Sequence, residues 1–262
     1  MRVSTAQFFQ QYACHRAEEG RALRGNELRA LPYVRGTPLA RQWAVRGRSF
    51  EVLISRVVQP LAGRKALDIL DLGAGNGWLC YRVTRAGHRA VALDIRDDDI
   101  DGLGAAADLR ADSAGQLQCV KASFESLPFA NHSFDIAIFN ASLHYATELD
   151  RALAEAVRVS RSAGAVAVVD SPFYASESEG ERMIAEKKAQ AAARFGARAE
   201  ILTSQNFIEF LTRERLAKAH SSLRWQRYRV RYPLWYQMRP LLAWLKGSRP
   251  PSRFDVWSAR VP

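Results

Sequence analysis

The chain has 262 residues, of which 48% are hydrophobic and 25% charged, as in a globular protein with one large α/β domain and a cap. The longest apolar run, 163–169, is too short to cross a bilayer, so a membrane-spanning class of protein is not expected. The net charge of +11 divides into +6 in residues 1–63, −4 in residues 64–175 and +9 in residues 176–262. The two basic ends suit either an acidic partner or an arginine-rich surface that faces only water.

The first sixty residues predict helices, because apolar side chains between Trp43 and Val57 recur at helical spacing. From residue 66 onwards, short apolar runs alternate with helical segments, which is typical of a parallel, doubly wound sheet. The predicted strands are 66–72, 89–95, 117–122, 134–140 and 165–171, and the predicted helices between them include 77–87 and 148–164.

Beyond the fifth strand, the sequence predicts a helical insertion at about 173–220. Ser178 and Glu181 have the spacing of a capping box for a helix that ends near 195–196. A second helix is predicted from Ser204 to about Ala219.

Residues 223–233 and 253–261 predict two strands that give the sheet an antiparallel finish. Alternation places arginines 227, 229 and 231 on one face of the first strand, which favours protection of a sheet edge over a phosphate-binding ribbon. The segment 233–247, rich in Trp and Leu, fits either an interfacial amphipathic patch or buried packing, and buried packing is the commoner outcome.

Residues 69–80, ILDLGAGNGWLC, place three glycines two apart behind an aspartate, between a predicted strand and a predicted helix. Glycines there allow a tight turn and a close approach of the backbone to a ligand beside a helix N-terminus. A dinucleotide and S-adenosylmethionine are the two ligand classes that fit such a loop. The spacing is D-x-G-x-G-x-G rather than the G-x-G-x-x-G of dinucleotide loops. It resembles the first motif of class I S-adenosylmethionine-dependent methyltransferases, with Asp71, Gly73, Gly75 and Gly77 in register and Ala74 between them.

Two further stretches support this resemblance, which covers residues 64–170. Asp94 ends the second strand 23 residues after Asp71, where a carboxylate can accept both ribose hydroxyls of an adenosine, and Ile95 follows it. Residues 119–146 resemble the small-molecule branch of the family, of the ubiquinone and menaquinone type. Ser123 replaces that branch's adenine-contacting aspartate, and Phe124 is placed to pack on the adenine ring.

A sulfonium methyl group is already activated, so holding a nucleophile in line with it supplies much of the catalysis. The family meets both methionine and acceptor after the fourth strand, which implies Asn140 beside the methionine moiety and His144 and Tyr145 as the catalytic candidates. His144 is the preferred general base because the ordinary pKa of a histidine is near neutrality. Less specific acceptor candidates are Asp170 after the fifth strand and Tyr12, Arg41 and Trp43 in the N-terminal part.

The three cysteines, at positions 14, 80 and 119, lie far apart, which predicts reduced thiols and a cytoplasmic location. The N-terminus has no apolar stretch of the signal-peptide type, so a leader is not expected. The five histidines are scattered, and no metal site is predicted.

The sequence therefore predicts an enzyme with a doubly wound Rossmann-like sheet of seven strands, an antiparallel last strand and a helical cap. We expect the cap at residues 1–63 and a methyltransferase domain at residues 64–262. The expected cofactor is S-adenosylmethionine and the expected acceptor a small molecule, for which the basic ends favour an anionic or phenolic compound. Peripheral membrane contact is compatible with the sequence.

Two alternatives stay open at this point. One is an RNA or DNA methyltransferase, suggested by the sequence pI of about 10.0. Against it, the fourth strand ends in FNAS rather than the (D/N)-P-P-(Y/F) that holds a nucleobase amine, and no Pro-Cys occurs there. The other is a non-catalytic module that binds the cofactor.

Overall fold

The computed structural model describes residues 4–262. Its centre is one sheet of seven strands in the order β3-β2-β1-β4-β5-β7-β6. The strands are β1 Asp68–Leu72, β2 Arg89–Asp94, β3 Leu117–Lys121, β4 Phe134–Asn140, β5 Ser160–Val169, β6 Gln226–Tyr228 and β7 Val256–Arg260.

The first five strands pair in parallel, and β7 runs antiparallel between β5 and β6. Chain order reverses between β1 and β4, so the strand ends on either side of that point border one crevice. The doubly wound sheet with an antiparallel finish, predicted from the alternating runs, is confirmed.

Helices cover both faces of the sheet and its carboxyl edge. A π-helical turn at Ile54–Val58 joins the third and fourth of them. The helices before the sheet are α1 Thr5–Glu18, α2 Gly25–Ala30, α3 Ala40–Leu53 and α4 Gln59–Ala62; those among the parallel strands are α5 Trp78–Arg85, α6 Ala107–Ala111 and α7 Leu149–Val159; and those after β5 are α8 Glu177–Phe195, α9 Ala197–Leu202, α10 Arg213–Ala219, α11 Leu234–Gln237 and α12 Arg239–Leu245.

Side-chain alternation along the strands divides the core into two layers. Ile69 and Ile136 face the layer that contains Trp43 and Phe50 of α3 and Trp78 of α5. Residues of opposite parity, such as Leu70 and Phe139, face the layer built on α7, α10 and β7. Burial on both faces explains why the parallel strands are continuous apolar runs.

The predicted helix 148–164 is too long, because α7 ends at Val159 and β5 begins at Ser160. The amides of His132 and Ser133 donate to the carbonyls of Arg158 and Val159, which a longer helix would have used itself. The Ser160 hydroxyl donates to the carbonyl of Ala156 at 2.7 Å. Contacts with a distant loop therefore end this helix, and helical periodicity does not reveal them.

The helix predicted for 204–219 is wrong in its first half, since α10 begins only at Arg213. The amides of Ile208, Glu209 and Leu211 bond instead to carbonyls of the β4 and β5 loops. The predicted capping residue of α8 is also wrong by two positions: Ser176, not Ser178, accepts the hydrogen bond from the amide of Glu179. The end of α8 at Phe195 is as predicted.

The segment 233–247 does not pack into the core, so the expectation of buried packing is wrong. The large apolar side chains of α11 and α12 are exposed. In the neighbouring strand β6, the guanidinium of Arg227 pairs with Asp255. Across residues 4–262, no helix is both long enough and apolar enough to span a membrane.

Candidate active site at the carboxyl edge of the sheet

The loops that follow the five parallel strands border one cavity of about 780 Å³. Helices α1, α3, α11 and α12 and the stretches 205–207 and 252–254 also contribute to its wall. Parallel strands bring segments that are distant in sequence to the same edge, which is why side chains separated by about a hundred residues meet here.

The glycine loop after β1 is fastened to the end of β2. The amides of Gly73 and Ala74 donate to the carbonyl of Leu93 at 2.7 and 2.9 Å. The amide of Gly75 donates to Oδ2 of Asp94 at 2.8 Å, and the amide of Arg96 to Oδ1 at 2.9 Å. Two backbone amides thus fix the carboxylate at the cavity wall. Burial raises the pKa of Asp94, and these hydrogen bonds oppose the rise.

Gly73 is the position where the loop has no room for a side chain. Its φ is +77°, and a Cβ atom built there would lie 2.5 Å from Cβ of Ser142 in the loop after β4. Gly75 has a φ of +55° and would bring a Cβ atom to 3.1 Å from the carbonyl oxygen of Asp101. Both glycines line the cavity, whereas Gly77 faces Ala106 and takes part in internal packing.

Asp71 lies behind the loop and is fully buried, so it does not line the cavity. Its Oδ1 atom has no hydrogen-bond partner among the described residues, and the same is true of Oδ1 of the buried Asn140. Burial raises the pKa of Asp71 well above its usual range, and the charge of Asp94 adds to the rise. Two unsatisfied buried oxygens next to a side-chain-free loop fit a ligand that brings positive charge and hydrogen-bond donors.

Helix α1 covers the part of the cavity next to the glycine loop and the loop after β2. The Tyr12 hydroxyl lies 3.0 Å from the hydroxyl of Tyr145, so one of the two donates to the other. Nε of Arg16 donates to Oδ2 of Asp101 at 2.6 Å, and the guanidinium of Arg96 lies 4.8 Å from the Tyr12 ring centroid. The sequence did not single out Arg16, Arg96 or Asp101, because no motif links the first helix to the loop after β2.

His144 and Tyr145 form a short 3-10 turn after β4, and both line the cavity. Their rings lie 4.2 Å apart, and Nδ1 of His144 is 3.4 Å from Oγ of Ser171. Burial lowers the pKa of His144 to about 3, with smaller contributions from the charges of Lys187, Arg46 and Arg16. The preference for His144 as the base depends on a near-neutral pKa, and burial removes that property in the folded protein.

The part of the cavity wall formed by α3, α11, α12 and the end of β5, called the far half below, contains three arginines. Arg41, Arg46 and Arg239 line it, and among residues 4–262 none of the three has a carboxylate within 4.0 Å. Burial lowers the pKa of Arg46, while the charge of Asp170 opposes this. Trp43, one of the acceptor candidates, is instead buried against Trp78 in the core.

Asp170 follows β5 with a φ of +52° and lines the same half of the cavity. Its side chain is 6% exposed, and neither carboxyl oxygen has a hydrogen-bond partner among the described residues. Burial raises its pKa to about 6, and the charge of Arg46 and the Ser49 hydroxyl, which lies nearby but forms no hydrogen bond with it, oppose the rise. A buried, unpaired carboxyl group beside unpaired arginines is costly, which marks this half as a place for a polar ligand.

The structure brings most of the predicted site residues together and leaves some behind the wall. The predicted residues that line the cavity are Gly73, Gly75, Asp94, Ile95, Ser123, Phe124, His144 and Tyr145; those that do not are Asp71, Ala74, Gly77 and Asn140. No group of three or more His, Cys, Asp or Glu side chains within residues 4–262 is placed to hold a metal ion.

Residues 70–168 match the protein family described as "Methyltransferase domain". The chain is 32% identical over 105 residues to a ubiquinone/menaquinone biosynthesis C-methyltransferase of Rhizobium etli, covering 39% of this chain and 40% of that protein. It is 31% identical over 111 residues to a malonyl-(acyl-carrier protein) O-methyltransferase of Erwinia pyrifoliae, covering 42% and 40%. The chain thus matches about two fifths of the length of these curated relatives.

Among solved structures, the fold is similar to the 1,6-didemethyltoxoflavin-N1-methyltransferase of Burkholderia thailandensis, with a TM-score of 0.58, 17% identity and coverage of 98% of this chain and 88% of that one. That structure holds 1,6-didemethyltoxoflavin and S-adenosylhomocysteine. A (4+2)-cyclase named SpnF is similar in fold with a TM-score of 0.55, 16% identity and coverage of 82% and 81%.

The family match falls on the segment whose glycine loop and strand-end carboxylate carry the sequence motifs. This match confirms the resemblance to class I S-adenosylmethionine-dependent methyltransferases inferred from residues 71–94, over the segment 70–168. S-adenosylmethionine is the cofactor of the methyltransferases that this segment resembles.

Proposed function

We propose that the chain transfers a methyl group from S-adenosylmethionine to a small acceptor with anionic or phenolic character. The observation that carries the proposal is that one cavity is lined both by the glycine loop with Asp94, which we call the first half, and by Asp170 with Arg41, Arg46 and Arg239, which we call the second half. One curated relative is named a C-methyltransferase of ubiquinone/menaquinone biosynthesis and another an O-methyltransferase of malonyl-(acyl-carrier protein), so the acceptor atom differs within the matched set.

The first half would hold the cofactor. Asp94 would accept the ribose hydroxyls, because each of its oxygens receives one backbone amide and keeps lone pairs for another donor. Phe124 and Ile95 would pack on the adenine, with Ser123 at its edge. Asp71 and Asn140 would act from behind the loop on the amino-acid end. When bound, S-adenosylmethionine supplies a methyl group on a positively charged sulfur.

The second half would hold the acceptor. Arg41, Arg46 and Arg239 supply positive charge without paired carboxylates, so an anionic group on the acceptor would complete them. This is the physical reason for an anionic or phenolic acceptor over a cationic one.

Asp170, rather than His144, is the proton acceptor we propose for an O–H or N–H acceptor. At neutral pH, Asp170 is largely ionised, yet its raised pKa makes it a stronger base than an ordinary carboxylate. His144 stays neutral there, and with its lowered pKa it is a weak base. His144 would instead shape the cavity and offer a neutral hydrogen bond, and Tyr145 would join the α1 cover to the site through Tyr12.

The test is release of S-adenosylhomocysteine from S-adenosylmethionine in the presence of single acceptors. We expect turnover with anionic or phenolic small molecules and none with bulk RNA. Turnover with RNA alone would favour the nucleic-acid alternative. Tight S-adenosylhomocysteine binding with no turnover on any compound class would favour a binding module or, as in the similar cyclase fold, another reaction.

The predicted cytoplasmic location and the boundary between cap and catalytic domain at residue 63 stay predictions. Fractionation of cells that express the chain tests the first, and limited proteolysis tests the second.

A further inference from the structure

Helices α11 and α12 carry an unusual amount of exposed apolar surface. Of the nine large hydrophobic side chains exposed in the described residues, seven lie between positions 234 and 245. Leu234 is 79% exposed and Trp244 75%. We name these seven side chains the apolar patch: Leu234, Trp235, Met238, Leu241, Leu242, Trp244 and Leu245. A contiguous apolar surface of this kind usually marks an interaction site.

The apolar patch is one face of a nearly continuous helical segment. Positions 234, 235, 238, 241, 242 and 245 follow the spacing of an α-helical stripe. The other side of the segment faces the cavity, which Tyr236 and Arg239 line. Local contacts order the start of the segment: the Tyr236 ring lies 4.7 Å from the Tyr232 ring, and Gln237 donates to the carbonyl of Tyr232 at 2.6 Å.

The stretch of sequence around the apolar patch is basic. Residues 216–254 contain nine Lys or Arg and no Asp or Glu. Two of these, Arg227 and Arg249, pair with carboxylates from elsewhere in the chain. The exposed side chains of Arg229, Arg231, Lys246 and Arg253 have no carboxylate within 4.0 Å in the part of the chain that the structure describes. Their charge suits a negatively charged partner.

An apolar helix face ringed by basic side chains matches the surface of an anionic bilayer. A second copy of the chain fits less well, because a symmetric contact would bring the same basic surroundings together. We propose that the apolar patch inserts into the boundary between headgroups and acyl chains of an anionic membrane, with the surrounding arginines and Lys246 on the lipid phosphates.

The apolar patch borders the cavity, so membrane contact at the patch would bring the cavity close to the lipid surface. Trp235 belongs to the patch and also lines the cavity, where the guanidinium of Arg41 lies 5.7 Å from its ring centroid. Tyr236 and Arg239, on the inner side of the same segment, line the cavity too. Resting on the proposed function, this places the acceptor half of the cavity beside the lipid surface, where an acceptor with an anionic head and an apolar tail would enter.

The test uses the full chain and vesicles in a flotation assay. Vesicles of phosphatidylcholine mixed with phosphatidylglycerol should bind the protein, and vesicles of phosphatidylcholine alone should bind it about tenfold less. A variant with Leu241→Ser, Trp244→Ser and Leu245→Ser should lose about tenfold or more of the binding to the mixed vesicles. The control Tyr33→Ser removes an exposed aromatic side chain outside the patch and should bind as the parent does.

Affinity for S-adenosylhomocysteine and the thermal unfolding midpoint of the triple variant should match the parent, since none of the three side chains lines the cavity. These readouts keep a folding defect, or a failure of the proposed function, apart from a failure of membrane docking. Equal vesicle binding by the triple variant would overturn the proposal. So would a parent dimer that the triple substitution dissociates while neither form binds vesicles, because the patch would then be a contact between copies.

Discussion

The two halves of the cavity differ in whether their charged side chains have partners within the protein. In the cofactor half, Asp94 receives two backbone amides and Asp101 receives the guanidinium of Arg16. In the acceptor half, Asp170 has no hydrogen-bond partner among the described residues, and the arginines beside it are unpaired. Asp94 and Asp101, the carboxylates that line the first half, have their partners before any ligand binds, whereas the charged groups of the second half have no such partners among the described residues. Substitutions in the two halves should therefore fail in different ways.

The largest effect is expected from Asp170→Asn. If Asp170 accepts the acceptor's proton, turnover should fall by about 10²–10⁴. The matched control is Asp112→Asn. Asp112 is an exposed carboxylate that follows α6 and pairs with Arg29, so its substitution should leave turnover unchanged. Release of S-adenosylhomocysteine at saturating acceptor measures both. Full turnover in Asp170→Asn would leave positioning alone to explain the transfer.

Gly73→Ala should weaken S-adenosylhomocysteine binding by about a hundredfold, or about 2.7 kcal/mol, because the new Cβ must displace Ser142 or the loop. Gly87→Ala is the control, since Gly87 also has a positive φ, +91°, but nothing lies within 4 Å of its Cβ position. Calorimetry gives the affinities and thermal unfolding the stabilities. Equal loss of affinity in both variants would assign the effect to backbone strain rather than to the contact of the new Cβ atom with Ser142.

Asp94→Ala should weaken cofactor binding by about 1.5–3 kcal/mol, or about ten- to a hundredfold, since it removes hydrogen bonds to a charged acceptor and frees the Gly75 amide. Asp97→Ala is the control in the same loop, because that exposed carboxylate pairs only with Lys121 at the surface. An unchanged dissociation constant in Asp94→Ala would show that the side chain only shapes the turn.

The pKa of Asp170 also predicts a dependence of stability on pH. Because its pKa is raised from 3.8 to about 6, the folded state favours the protonated form, and stability is lost as the pH rises from about 4 through 6. Asp170→Asn should thus be more stable than the parent by about 1–3 kcal/mol at pH 8 and equal to it at pH 4. Denaturant unfolding at both pH values measures the difference. A variant that is less stable at pH 8 would mean that the carboxylate forms a favourable pair when ionised.

The smallest effect is expected from His144→Gln, which keeps a neutral hydrogen-bonding side chain. Because the pKa of His144 is lowered to about 3, it carries no charge near neutral pH, and turnover should fall by less than about tenfold. The pH profile of turnover should keep its shape. Loss of the profile's acidic limb, together with a hundredfold drop, would make His144 the base and return Asp170 to a structural role.

The sequence could place the glycine loop and Asp94 at one edge of the sheet because local chain geometry determines them. A strand, a turn that needs positive φ and a helix follow within 69–85, and Asp94 ends the neighbouring strand. These features lie within one pair of strands, so residue type and spacing carry them. Asp71 and Gly77 belong to the same motif but lie behind the loop and do not line the cavity. A sequence motif identifies the residues that a loop requires, but it does not tell which of them face the ligand.

The acceptor half could not be predicted to the same degree, since its residues come from α3, the end of β5, α11 and α12. Asp170 was one candidate among several, and only burial without a hydrogen-bond partner distinguishes it. His144 was chosen on its ordinary pKa, which burial changes. The exposure of α11 and α12 was not expected either, because composition alone does not tell a buried apolar helix from one that a partner covers.

The division of the cavity is tested most directly by the dissociation constant of S-adenosylhomocysteine, measured by calorimetry for the parent, Asp94→Ala and Asp170→Asn under one set of conditions. The cofactor half is complete without Asp170, so Asp170→Asn should bind within about twofold of the parent while Asp94→Ala binds at least about tenfold more weakly. If Asp170→Asn weakens binding as much as Asp94→Ala does, the two halves are not separate, and Asp170 belongs to the cofactor site.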